Sequence, residues 1–331
     1  MKKAFTIVEL LVAMTIIVVL LAGSGYVFHT AVQAEKSARA TAEIARKVRG
    51  ITDQLNADFR ELRKDGVMIS SWKPVAPGPG ETECQRVDQI MFFANGNFSS
   101  YNNDPKNIKG NFARIQYTIA KVDPASGIPA DPLTGVPVNP ADRVLARVQH
   151  VYSDDTTLPE FPDLNSFSIN DFINNEAAFE YDTITMHEWK NADNDMREEM
   201  FTAITDIEVD IDGDGSAGSN YVGVVLDKNN PDHLHKFFCE GVGQFMVQDW
   251  WLERWWPSFD PDGDGDYSDD SDFQVTPTGE IDPSFYWWVY YPGEGTFSDY
   301  YGRAFKFTFT LYDSYGVFPE GKTFTHIIYL D

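Results

Sequence analysis

One carboxylate placed inside an apolar run constrains this chain more than any other feature. Met1-Lys2-Lys3-Ala4 is followed by a stretch from Phe5 to about Leu21 that is interrupted only by Thr6, Glu9 and Thr15. The run is close to the roughly 20 residues a spanning helix needs. A charge at bilayer depth costs roughly 2.5–3.5 kcal/mol on insertion scales, so Glu9 calls for a partner that offsets its charge. Lys2 and Lys3 keep the amino end cytoplasmic by the positive-inside bias. An ordinary secretory signal is a poor fit. The basic part is short, the apolar part starts at once, and no small-x-small cleavage site precedes a polar segment.

Lys3-Ala4-Phe5-Thr6-Ile7-Val8-Glu9-Leu10-Leu11 resembles the processing and methylation motif of type IV pilins and type II secretion pseudopilins. The resemblance covers about residues 1–30 and fades after residue 65. In that family prepilin peptidase cuts just before the Phe and the new amine is methylated. Here this implies a cut between Ala4 and Phe5, N-methylation of Phe5, and Glu9 as the fifth mature residue. The family usually has Gly before the cut; Ala4 is the next smallest residue, so cleavage, if slower, is expected. The resemblance also implies that Glu9 pairs with the processed amino terminus of a neighbouring subunit, which neutralises both charges in a low-dielectric site.

The formal charge of −25 over 331 residues is unevenly divided. Residues 1–64 carry 10 Lys+Arg against 6 Asp+Glu, and the remainder carries 16 against 45. An acidic head argues against direct nucleic-acid binding, which needs a basic footprint. The length allows one large domain or two smaller ones beyond the helix. Cys84 and Cys239 are far apart in the chain. In an exported protein they can form one disulfide or stay as two separate buried thiols.

Ile44, Val48, Ile51, Leu55, Phe59 and Leu62 recur at steps of three or four and line one helix face. Arg63 and Lys64 followed by Gly66 read as a helix end. One helix from about Phe5 to Lys64 is therefore expected, with a bend, a melted turn or a small-residue packing spot at Gly23-Ser24-Gly25. Beyond it the chain alternates as strands do. Val67–Ile69 and Gln89–Phe93 are strand candidates. Ala113–Ile119 and Arg143–Val148 form a hairpin around a Pro-rich insert, Asp123 to Pro140. Short helices are expected near Asn170–Phe179 and His187–Phe201, and strands at Ile207–Val209 and Tyr221–Val225. Gly241–Trp251 is expected to continue the sheet. Ala304–Tyr312 pairs with Lys322–Leu330 across a turn at Asp313–Gly321, with one face on a core and one in water. The fold class is α+β: a long amino-terminal helix packed on an antiparallel β-sheet domain with long loop insertions.

The expected organisation is a leader at 1–4, a transmembrane and filament-core helix at 5–25, and an amphipathic continuation at 26–65. An acidic β-rich head follows at 66–331, with inserts near 123–140, 153–203 and 257–283. Within the family, the order of features resembles the J-type minor pseudopilin: Leu55-x-x-Asp58-Phe59-x-x-Leu62, then Tyr117, Leu145-x-Arg147 and Gly241-Val242-x-x-Phe245. A minor pilin or adhesin of a type IV pilus stays open as the alternative. The resemblance implies other pilin or pseudopilin subunits, prepilin peptidase and the inner membrane as partners, with the secreted substrate a further candidate. It implies an amino terminus in the cytoplasm, a head in the periplasm, and a place in a pseudopilus or surface pilus after assembly.

Two loops fit the opening of a calcium loop: Asp210, Asp212 and Asp214, and Asp260, Asp262, Asp264 and Asp266. Alternate carboxylates converge on a hard cation and the Gly permits the sharp turn. Tyr221 and Ser271 stand where a bidentate Glu closes an EF-hand, so calcium and a solvated acidic turn are both open. Trp250, Trp251, Trp255, Trp256, Trp287 and Trp288 are either a contact surface or core beneath the inserts. His233-Leu234-His235 reads as two imidazoles on one side of a strand without a third ligand. No H-E-x-x-H, G-x-S-x-G or phosphate-loop motif occurs. The chain reads as a non-enzyme with no organic cofactor.

Overall fold

The apolar stripe forms the last third of one 54-residue helix, α1 (Ile7–Arg60). At 1.5 Å per residue it is about 80 Å long. The computed structural model describes residues 7–64, 66, 68–71, 74–75, 85–101, 108–122, 127–131, 135–152, 180–182, 225–226, 231–251, 254–256, 287–290 and 304–330. Burial on α1 begins at Ala40 and continues at Ile44, Ile51, Leu55, Asp58 and Phe59. The helix runs unbroken through Gly23-Ser24-Gly25, so no melted turn forms. A glycine costs about 1 kcal/mol of helix propensity, too little to open a helix flanked by long apolar runs. Ser24 Oγ donates to the Leu21 carbonyl at 3.1 Å.

The helix stops at Arg60 rather than Lys64, because the first sheet captures the chain there. Arg63 N–H donates to the Phe93 carbonyl at 2.8 Å, Asn95 N–H donates to the Glu61 carbonyl at 2.8 Å, and Leu62 bridges Ala94.

In chain order the strands are β1 (Met68–Ser71), β2 (Pro74–Val75), β3 (Gln85–Arg86), β4 (Gln89–Ser99), β5 (Lys109–Ile119), β6 (Lys121–Val122), β7 (Val144–Tyr152) and β8 (Tyr181–Asp182). They continue as β9 (Val225–Leu226), β10 (Phe237–Glu240), β11 (Val242–Trp251), β12 (Arg254–Trp256), β13 (Trp287–Tyr290), β14 (Ala304–Leu311) and β15 (Lys322–Tyr329). One sheet has the order β10-β7-β5-β4-β1-β13, with β8 also on β7; a second has the order β12-β11-β14-β15. The expected β5–β7 hairpin forms, from Ile119↔Leu145 to Ala113↔Val151. The carboxy-terminal hairpin forms from Ala304↔Tyr329 to Leu311↔Lys322 without a bulge. Two short pairs, β6–β9 and β7–β8, are parallel. The segments Asn170–Phe179, His187–Phe201 and Ile207–Val209 lie outside the described residues, as does all of Tyr221–Val225 except Val225 in β9.

Gly241–Trp251 does not continue one sheet. Gly241 has φ +71, a left-handed conformation that glycine adopts without a side-chain clash. The preceding β10 pairs with β7 in the first sheet, and the following β11 pairs with β14 in the second. Gly241 is thus the point where the chain changes sheets.

The core lies between α1 and the two sheets. Phe59 sits at its centre, with ring centroids 4.6 Å from Phe92 of the first sheet and 5.4 and 5.3 Å from Phe305 and Phe307 of the second. Burying a side chain of this size contributes roughly 1.5–3 kcal/mol. A second tie joins the sheets beside β3. Val87 bridges Phe245, Asp88 N–H donates to the Phe245 carbonyl at 2.7 Å, and Val247 N–H donates to Asp88 Oδ2 at 2.8 Å.

Candidate functional site

Two parts of α1 do different work. Residues 7–28 are apolar apart from Glu9, Thr15, the glycines, Ser24 and Tyr26, and the head covers none of them. This stretch is long and apolar enough to cross a membrane. Residues 29–38 follow as a more polar neck that is still outside the head, a spacing of about 15 Å along the helix axis. From Ala40 onward the helix is fixed to the sheets.

The fixing is polar as well as apolar. Asp58 is buried on the inward face of α1 and meets Arg147 of β7 in a bidentate pair, Nε to Oδ2 at 2.7 Å and Nη2 to Oδ1 at 2.8 Å. The Tyr117 hydroxyl donates to Asp58 Oδ2, and Gln54 Nε2 donates to Oδ1 at 3.0 Å. Arg147 also donates to Gln149 Oε1 at 3.0 Å, and Phe238 packs edge-on against Tyr117 at 5.8 Å. Burial pushes the Tyr117 hydroxyl well above its ordinary range, and the Asp58 charge adds to this. Burial disfavours the Arg147 cation, but the hydrogen bonds and charge of Asp58 outweigh it and hold the guanidinium above its ordinary range. Arg supplies the planar fork that a carboxylate accepts in two bonds.

Two further contacts secure the upper helix to the carboxy-terminal hairpin. Lys47 Nζ pairs with Glu43 at 2.8 Å and donates to the Tyr312 carbonyl at 2.8 Å. Ser314 Oγ donates to Glu43 Oε2 at 2.7 Å. Burial raises the Glu43 carboxyl, but Lys47 and Ser314 together bring it below its ordinary value. Lower down, His326 Nε2 and Asn56 Oδ1 are 2.9 Å apart.

Residues 1–25 match the family model for the prokaryotic N-terminal methylation motif. That motif indicates a type IV pilin-like or pseudopilin-like subunit. It implies processing by prepilin peptidase and assembly with other pilin subunits. The bare apolar helix fits anchoring in the inner membrane. No curated protein and no solved structure matches the chain.

Of the residues singled out from the sequence, Glu9 lies in the first turns of α1, within the bare apolar half. Ala4 and Phe5 lie outside the described residues, as do Cys84 and the seven aspartates Asp210, Asp212, Asp214, Asp260, Asp262, Asp264 and Asp266. Cys239 is half-buried on β10 against the core, and burial pushes its thiol up to about 11, the inert end of cysteine behaviour. The tryptophans divide between the two sheets. Trp250 pairs in register with Trp255 on β11–β12, and Trp287 and Trp288 pair with Ser71 and Ser70 on β13–β1.

His233 and His235 occupy a 3-10 turn, Pro231–Lys236, rather than a strand. Pro231 opens that turn with a φ already preset for it. His235 stacks on Tyr101 at 4.7 Å and pairs with the buried carboxylate of Glu180. Among the described residues, no three His, Cys, Asp or Glu side chains are grouped to hold a metal. The Asp58, Tyr117 and Arg147 meeting was not predicted as a contact, although each residue stands in a stretch the sequence had marked. No local pattern points to Glu180; the Glu43–Lys47 pair stands at the i,i+4 spacing that favours a helix ion pair, but nothing local points to its contacts with Tyr312 and Ser314.

Proposed function

We propose that this protein is a minor pseudopilin of a type II secretion system, processed between Ala4 and Phe5 and assembled at the tip of a periplasmic pseudopilus. One observation carries the reading: a single continuous helix projects bare over residues 7–38 from a head braced across two sheets. A bare apolar helix has no cover except lipid or other helices of the same kind. A head with large inserts is hard to repeat densely along a shaft, which favours a place at the end. Calcium in the Asp210–Asp214 and Asp260–Asp266 loops belongs to the same proposal, since a hard cation relieves clustered carboxylates.

The alternative, a minor pilin or adhesin of a type IV pilus, draws support from the tryptophans. Trp255 and Trp256 lie on β12 and Trp287 and Trp288 on β13, each of which is an edge strand of its sheet among the described residues. Aromatic residues anchor interfaces.

Deletion of the gene followed by two assays separates these readings. Loss of protein secretion with surface filaments intact supports the pseudopilus. Intact secretion with lost adhesion or piliation supports the pilus. Quantifying this chain in sheared or purified filaments tests its place: the tip reading expects it far below the shaft subunit, and near-equal amounts would refute it.

A further inference from the structure

Among the described residues, the strand β15 is an open edge of the second sheet. It pairs with β14 over all eight residues without a bulge, and among the described residues no strand lies on its other side. Eight residues at about 3.4 Å each make an edge of roughly 27 Å. Long open edges are usually blunted by proline, a bulge or charge, because their unpaired N–H and C=O groups recruit other strands. Lys322-Thr323-Phe324-Thr325-His326-Ile327-Ile328-Tyr329 contains no proline, and its outward positions Thr323, Thr325, Ile327 and Tyr329 are exposed.

We infer that the β15 edge receives an extended, carboxylate-bearing segment from the head of a neighbouring pilin-like subunit, which adds a strand to the second sheet. This rests on the filament reading above, and two observations select the occupant. The first is charge: neither β14 nor β15 carries a carboxylate, while Lys306 and Lys322 lie on them in a chain of net charge −25. An acidic strand meets two lysines and no carboxylate on these two strands, unlike most of this acidic head. The second is continuity. The β14–β15 hairpin is tied to α1 through His326–Asn56, Ser314–Glu43 and Tyr312–Lys47. The edge therefore runs beside the helix on which neighbouring subunits pack. In such strand addition the main chain supplies affinity and alternate side chains supply selectivity.

The test uses the full chain in cells that assemble its native filaments. Adjacent residues of a strand send their N–H groups to opposite sides. Of Thr325→Pro and His326→Pro, one therefore removes an edge N–H and the other a β14 ladder bond; melting of the detergent-solubilised chain tells them apart, and His326→Ala controls for the side chain. A photo-crosslinking amino acid at Tyr329 is the probe, with the attached peptide identified by mass spectrometry in purified filaments. The expected result is a crosslink to an acidic segment of another pilin-like subunit, reduced about tenfold by the fold-preserving proline variant. Wild-type chain present in filaments with crosslinking unchanged by that variant overturns this inference alone, as does a crosslink confined to lipid or to its own chain. Absence of the wild-type chain from every filament overturns the filament reading, and this inference with it.

Discussion

Asp58 and Arg147 are 89 residues apart in the chain and close a two-bond ion pair between α1 and β7, at 2.7 and 2.8 Å. This pair orients the projecting half of the helix relative to the sheets. Phe59 supplies apolar contact to both sheets but no angular selectivity, whereas a fork meeting a carboxylate edge-on fixes the rotation of the helix about its axis.

Asp58→Ala is expected to destabilise the head by about 3–5 kcal/mol, because it leaves a buried guanidinium uncompensated. Arg147→Lys is expected to recover only part of this, since an ammonium cannot make both bonds. Chemical denaturation of the solubilised chain, read by tryptophan fluorescence, checks both. Equal stability of Asp58→Ala and wild type would remove the pair from the account of the fold.

Acid is expected to weaken the 3-10 turn near Tyr101. Burial raises the Glu180 carboxyl, but His235, the Tyr101 N–H and Lys236 outweigh burial and hold it below its ordinary value of 4.5. A depressed folded-state value means the stabilisation is fully present above the unfolded value and is lost as pH falls through the folded one. Melting temperature measured from pH 7 downward should drop below about pH 4.5, and Glu180→Gln should flatten that drop while lowering stability at neutral pH.

Gly241→Ala is expected to cost at least about 1–2 kcal/mol, because an L side chain is strained in the left-handed region. A Cβ there would also stand 2.9 Å from the Tyr312 carbonyl oxygen and 3.1 Å from Lys47 Nζ. A melt of the variant matching wild type would show that the change of sheet tolerates a side chain.

Glu9→Ala is expected to leave membrane insertion unchanged, or to improve it, while sharply reducing this chain in filaments. Membrane fractionation together with filament quantification measures both. Normal filament content would leave α1 as a simple anchor.

For the acidic loops, Asp264→Ala is expected to lower the melting temperature in calcium but not in chelator. Wild-type protein that melts identically in calcium and chelator would remove the metal from the proposal.

The stripe from Ile44 to Leu62 and the carboxy-terminal hairpin were legible because their signals are local. A 3.6-residue period or a strict alternation is complete within one element, and the burial it calls for is the burial found. The methylation motif was legible for the same reason: Lys2, Lys3, Phe5 and Glu9 stand within a single short stretch. The end of α1 was misplaced by one turn, since the backbone of β4, about thirty residues on, captures Glu61 and Arg63. The histidine pair was misread as a strand because the carboxylate that holds His235 comes from residue 180.

The chain order alone settled the helical stripe, the carboxy-terminal hairpin, the acidic balance and the apolar helix with its one carboxylate, because each depends on neighbours in sequence and on transfer from water. Folding in three dimensions decided which charges meet, where Gly241 turns the chain from one sheet to the other, and which strands end each sheet among the described residues. Those outcomes depend on distances between residues tens to hundreds of positions apart, and such distances are set only once α1 and both sheets share one core.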